Sequence, residues 1–148
     1  MNIFKENLTG YYTAWLQAAL ECGDVTHEEQ GGIILEREGV FEFAKIRNMH
    51  QNTPTAAGLY ETDHEELKYK IFPKVFNEGW KMHASFHTHP APMSSTPSHT
   101  DLSKLFQGFK YNIILAVYDN MFSYSMWCAD DNICTAYLRM QLVKTLTK

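Results

Sequence analysis

Trp80-Lys81-Met82-His83-Ala84-Ser85-Phe86-His87-Thr88-His89-Pro90 alternates between apolar and polar side chains. A period of two is the mark of a strand with one face turned to a core. Trp80, Met82, Ala84 and Phe86 fall on one face. His83, Ser85, His87 and His89 fall on the other. The apolar face places this strand inside a packed sheet. The opposite face carries three histidines in seven positions, so the strand is also where chemistry is to be sought.

Upstream, Asp63 to about Glu78 predicts a helix. Asp63 and Glu66 have capping-box spacing, Leu67, Ile71 and Val75 share a face, and Gly79 ends the segment. Pro73 should kink or split it. His50 to Leu59 is polar, holds Pro54 and Gly58, and predicts a loop. Gly32 to Glu36 and Val40 to Ile46 predict a hairpin turned at Arg37-Glu38-Gly39. From Asn7 to Cys22, Leu8, Tyr12, Trp15, Leu16, Ala19 and Leu20 recur at helical spacing before Gly23.

Downstream, Pro90 to Pro97 is a loop and Ser98 to Gln107 a short helix ended by Gly108. Tyr111 to Tyr118 is almost wholly apolar, as a central strand covered on both faces should be. Asp119-Asn120 turns the chain into another strand, Met121 to Trp127. Ile133 to Leu146 predicts a last amphipathic helix. This order implies one mixed α/β domain with helices packed on a sheet.

The chain has 148 residues, enough for one domain with a core. A net charge of -4 is not the basic footprint of a nucleic-acid binder. No apolar run reaches the about 18 residues of a membrane span, and Met1 to Lys5 lack a signal peptide's basic-then-apolar order. The expected compartment is the cytoplasm, with no membrane and no nucleic acid as partner. Cys22, Cys128 and Cys134 are odd in number and form no C-x-x-C pair, so reduced thiols are expected.

Two residues apart on a strand, His87 and His89 point the same way, with Cβ atoms ~6.5–7 Å apart. Two imidazoles so placed can converge on one ion. Asp101, from the first turn of the following helix, supplies an oxygen. Two nitrogens and one carboxylate leave a fourth position for water, as hydrolytic zinc sites require. A nearby carboxylate must then take the water's proton and pass it to the leaving amine. Glu29 is the candidate, just ahead of Gly31-Gly32 and a buried strand. Glu28 also precedes a glycine by three positions. Glu29 is preferred because its glycine leads directly into Ile33-Ile34-Leu35. Ser98 could donate a hydrogen bond to the oxyanion.

Taken together, Glu29-Gln30-Gly31-Gly32-Ile33-Ile34-Leu35, His87-Thr88-His89-Pro90 and Ser98-His99-Thr100-Asp101 resemble the JAMM (MPN, or JAB) metalloprotease family. That family carries a glutamate before a glycine-apolar strand, then H-x-H-P, then S-x-x-D. The resemblance covers about Asn7 to Trp127. The loop between His89 and Ser98 is one residue longer than the family's usual spacing. The resemblance implies a central mixed β-sheet flanked by helices and one zinc ion held by His87, His89 and Asp101. It implies Glu29 as acid/base and Ser98 as oxyanion stabiliser. It also implies cleavage of peptide or isopeptide bonds after the tail of a ubiquitin-like protein. Between Gly108 and Trp127 there is no room for the insertion of the family's elaborated deubiquitinases, so a minimal prokaryotic or phage-type enzyme is expected.

Two rivals stand beside this expectation. The same metal site could serve a small peptide or amino-acid adduct, or the chain could be a non-catalytic interaction scaffold. A zinc deaminase would need H-x-E together with P-C-x-x-C, and no P-C-x-x-C is present. His83 and His99 are expected to be structural and solvent-exposed respectively. Oligomeric state is not legible in the sequence.

Overall fold

Glu38 and Gly39 both adopt positive φ, 52° and 81°. A two-residue turn of that kind matches the twist of its flanking strands and closes a tight hairpin. The computed structural model describes residues 8–22, 28–90, 109, 111–118, 121–128 and 138–143. Residues 8–12, 15, 117, 118, 121–128 and 138–143 are described by their backbone alone. The hairpin is β1 (Gly31–Arg37) with β2 (Val40–Ile46), in a register running from Gly31 opposite Ile46 to Arg37 opposite Val40. β3 (Lys81–His89) pairs antiparallel to the other side of β1. β4 (Tyr111–Tyr118) runs parallel to β3, and β5 (Met121–Cys128) and β6 (Leu138–Val143) follow antiparallel. The order is β2-β1-β3-β4-β5-β6, a mixed six-stranded sheet. No described helix is long and apolar enough to cross a membrane.

Helices cover both faces. α1 (Leu8–Cys22) brings Ala14, Ala18, Ala19 and Cys22 onto Ile34, Phe43, Ala84, Phe86, Ile113 and Leu115. Its buried stripe is small, which lets the helix approach the sheet closely. Leu16 and Leu20, read from the sequence as part of the apolar face, remain 37% and 47% exposed on its shoulder. On the opposite face Ile33, Leu35, Ile46, Ile71 and Trp80 form a second cluster, with Leu67, Val75 and Phe109 packed against it.

The predicted helix from Asp63 is built in three pieces: α2 (His64–Glu66), a π-turn over Leu67–Ile71 and α3 (Phe72–Asn77). The Asp63 carboxylate caps it, accepting from the N–H groups of Glu65 and Glu66 at 2.9 and 3.2 Å. The reciprocal half of a capping box is not made. Glu66 accepts from the Arg47 N–H instead, at 2.6 Å. Pro73 accounts for the π-turn, because in a straight α-helix its ring would strike the carbonyl one turn earlier. The Phe72 N–H reaches back to the Leu67 carbonyl, five residues away.

Two expectations are corrected. First, β1 and β3 slip register. Ile34 faces Ala84 but Leu35 faces Met82, so His83 is an extra residue in a β-bulge. The bulge reverses the phase of the strand. His83 leaves the face of Ser85, His87 and His89 and packs against Phe41 and Tyr111, each at 5.1 Å between ring centroids. Trp80 turns to the cluster of Ile33 and Leu35. Second, the last predicted helix, Ile133 to Leu146, contains a strand over Leu138–Val143. Leu138-Arg139-Met140-Gln141-Leu142 alternates as well as it follows a helical period. The strand pairs with β5, whose edge a helix would have left open. The predicted helix Ser98–Gln107 and the turn at Asp119-Asn120 lie outside the described residues.

Candidate metal centre

The phase of β3 above the bulge decides where its histidines point. His87 is opposite Gly31 in β1 and beside Ile114 in β4. His89, two residues on, shares its face. Their rings lie 5.2 Å apart at 62°. Glu29 precedes β1 by two residues and brings its carboxylate to the same place, with Oε1 4.0 Å from His87 Nε2. One ligand atom from each of Glu29, His87 and His89 lies within 4.8 Å of the others. The three residues are 2%, 6% and 1% exposed.

Burying a carboxylate among apolar strands is costly unless opposite charge or hydrogen bonds compensate it. Two imidazoles and a carboxylate facing one point are also a donor set for a divalent metal ion. These described residues therefore fit such an ion chemically. Glu28, the alternative glutamate, is placed elsewhere. Its Oε2 accepts from the Asn52 N–H at 2.7 Å, and it lines a surface cavity of about 400 Å³ with Lys45, Arg47 and Lys70. Ser98, His99 and Asp101 lie outside the described residues.

The backbone around Glu29 is held from several sides. Its N–H donates to the Ala56 carbonyl at 2.7 Å. The next residue exchanges two bonds with β3. The Gln30 N–H donates to Thr88 Oγ1 at 2.9 Å, and the Thr88 N–H donates to the Gln30 carbonyl at 2.8 Å. Thr88, which stands between the two histidines, thus locks the residue after Glu29 to β3.

Two residues that sequence reasoning missed complete the wall. Asn48 is fully buried, and its Nδ2 donates to the Glu29 and Leu59 carbonyls at 3.0 and 2.9 Å. Tyr60 lies parallel to His87, with centroids 6.3 Å apart and planes 2° from each other. Its hydroxyl donates to the Ile46 carbonyl at 2.8 Å. Burial holds that phenol well above its ordinary pKa, so it stays a neutral donor. Gly31 explains how the ring gets there. A Cβ on Gly31 would strike the Phe86 carbonyl and sit 2.8 and 2.9 Å from Tyr60 ring atoms. Gly31-Gly32 was the one signal in the sequence that something must lie close over β1.

Among solved structures the fold is similar to protein DSY2949 from Desulfitobacterium hafniense. The TM-score is 0.64 at 16% identity, over 86% of each chain. A protein from Salinibacter ruber matches at a TM-score of 0.49 and 20% identity, over 86% of this chain and 85% of that one. At such identities the first likeness speaks for the fold alone, and the second carries no argument. No curated protein matches the sequence. Residues 12–129 match the model of the prokaryotic homologs of the JAB domain, a span that contains the whole Glu29–His87–His89 cluster. The chain belongs to the prokaryotic JAB-domain family.

Proposed function

We propose that this chain is a zinc-dependent peptidase or isopeptidase. It hydrolyses the bond that follows the C-terminal tail of a ubiquitin-like protein, in deconjugation or precursor processing, in a cytoplasmic setting. The observation that carries this reading is the burial of the Glu29 carboxylate against His87 and His89 within 4.8 Å. His87 and His89, with Asp101, would hold one zinc ion per chain. Bound there, the ion would polarise the scissile carbonyl and acidify a water molecule.

The chain's own residues do the rest. Glu29 accepts the water's proton on a carboxylate oxygen and delivers it to the leaving nitrogen as the C–N bond breaks. Its backbone bond to Ala56, and those of Gln30 to Thr88, fix the main chain from which that carboxylate projects. Ser98 donates to the oxyanion while the carbonyl carbon is tetrahedral. Buried walls around Glu29 and His87 keep bulk water away from the transferred proton. An extended tail with a small residue such as glycine before the cut suits so closely walled a centre.

The test uses zinc-loaded protein and a fusion of a ubiquitin-like protein to a reporter. The wild type should cut after the tail. Glu29→Gln should keep the zinc and lose roughly 10²–10⁴-fold in kcat, the usual worth of a positioned acid/base. Glu28→Gln should behave as wild type. Loss of zinc with Glu29→Gln would make Glu29 a ligand instead of a base. A zinc-loaded wild type that cuts no ubiquitin-like fusion would remove the substrate reading.

A further inference from the structure

We infer that Tyr60 is a positioning residue for the metal centre, its ring setting the plane of the His87 imidazole. This rests on the reading of His87 as a metal ligand. A ring nitrogen offers its lone pair in the ring plane, so the plane must point at the ion. The terminal torsion of a histidine side chain is intrinsically broad. Something outside the residue has to fix it, a task that neighbouring groups around a ligand usually perform.

Tyr60 is placed to do so. Gly31 is directly opposite His87 across the β1–β3 ladder, and its missing side chain leaves the spot that the Tyr60 ring fills. The two rings are parallel to within 2°, at a centroid separation inside the range of aromatic pairs. His89, two residues along the strand, meets His87 at 62°. The imidazole therefore has a parallel ring and a crossed one as neighbours, and a change of its plane would lose the parallel arrangement with Tyr60.

Tyr60 is itself anchored at both ends. Its hydroxyl holds the last residue of β2 through the Ile46 carbonyl. Its backbone neighbour Leu59 is held by Asn48 Nδ2, and the same amide nitrogen holds the Glu29 carbonyl. Asn48 Oδ1 accepts from the His50 N–H at 3.0 Å. One buried amide thus ties the residue before Tyr60 to the backbone of Glu29. The loop that supplies the ring and the segment that supplies the carboxylate are joined through this one side chain.

The experiment compares the wild type, Tyr60→Phe and Tyr60→Leu. Tyr60→Phe keeps the ring and loses only the bond to Ile46, and Tyr60→Leu loses the ring. Circular dichroism first confirms that each variant is folded, and Tyr60→Met, apolar and unbranched, replaces any Tyr60→Leu protein that is not. Nitrogen-15 NMR of the metal-free proteins reads the His87 ring, and cobalt(II) titration reads affinity and the visible ligand-field band. We expect one sharp His87 environment in the wild type and in Tyr60→Phe. Averaged or shifted ring signals are expected without the aromatic ring. Cobalt affinity should fall roughly tenfold or more in Tyr60→Leu with a changed band, and Tyr60→Phe should restore both. A Tyr60→Leu protein with wild-type ring signals, affinity and band overturns the inference. If the wild type binds no cobalt or zinc, the metal reading fails by itself, and the metal-free ring spectra still decide the role of Tyr60. Absence of peptidase activity touches only the proposed reaction.

Discussion

The two faces of β3 above its bulge are both largely dry and differ in what they bury. Ala84 and Phe86 are fully buried on the face that meets α1. Ser85, His87 and His89 are on the other. Ser85 Oγ donates to Asn112 Oδ1 at 2.6 Å there, and the histidines meet Glu29. The apolar face gains from leaving water and from close packing. The polar face gains nothing from burial alone, because each buried polar group must recover what it lost to desolvation. One strand therefore carries packed core on one side and the candidate metal site on the other. Substitutions on the two faces should separate cleanly.

Phe86→Ala gives the sharpest stability contrast. It should cost about 3–5 kcal/mol of unfolding free energy by urea titration, because Phe86 is fully buried and stacks edge-on with Phe43 at 5.4 Å. His87→Ala, one residue on, should cost clearly less metal-free stability than Phe86→Ala, about 1–2 kcal/mol, and abolish metal binding. Equal losses of stability in both variants would break the comparison.

A smaller effect is expected where the faces share a backbone. Gly31→Ala puts a methyl group against the Phe86 carbonyl and the Tyr60 ring. Overpacking of this kind should cost about 1–3 kcal/mol and weaken metal binding together with stability, unlike either β3 variant. Calorimetry with and without zinc would show both losses. A Gly31→Ala protein as stable as wild type would mean that both the ring and the Phe86 backbone yield freely.

The smallest effect lies away from both faces. The Arg47 guanidinium hydrogen-bonded to Asp63, helped by the capped N–H groups, holds the Asp63 carboxyl below the usual carboxylate range. A pKa lowered on folding stabilises the protein above the unfolded value of about 4 and is lost as pH falls through the folded value. The wild type should therefore lose more stability than Asp63→Asn between about pH 5 and pH 3. Arg47 is 53% exposed, so solvent screens the pair and the difference should be small. Parallel pH profiles would remove this contribution.

Much of the fold was legible because period-two alternation is hard to imitate. β2 and β4 have their predicted bounds, and β1, β3 and β5 lie within a residue of theirs. The bulge at His83 was not legible. An inserted residue leaves no mark of its own, and the alternation of residues 80–89 reads as unbroken. β6 was misread because six residues fit a helical and an extended period alike, and pairing with β5 decides between them. In the centre, Glu29, His87 and His89 could be found because two-residue spacing on a strand fixes direction. Tyr60 and Asn48 could not. They come from a loop, where side-chain direction follows from tertiary contacts and no spacing rule applies.

The most direct test of the account is elemental analysis of the purified protein after zinc addition, with His87→Ala measured alongside. About one zinc per chain in the wild type, lost in the variant, is the predicted result for a site built on two imidazoles and one carboxylate. A wild type that retains no zinc, or a variant that retains as much, would contradict it.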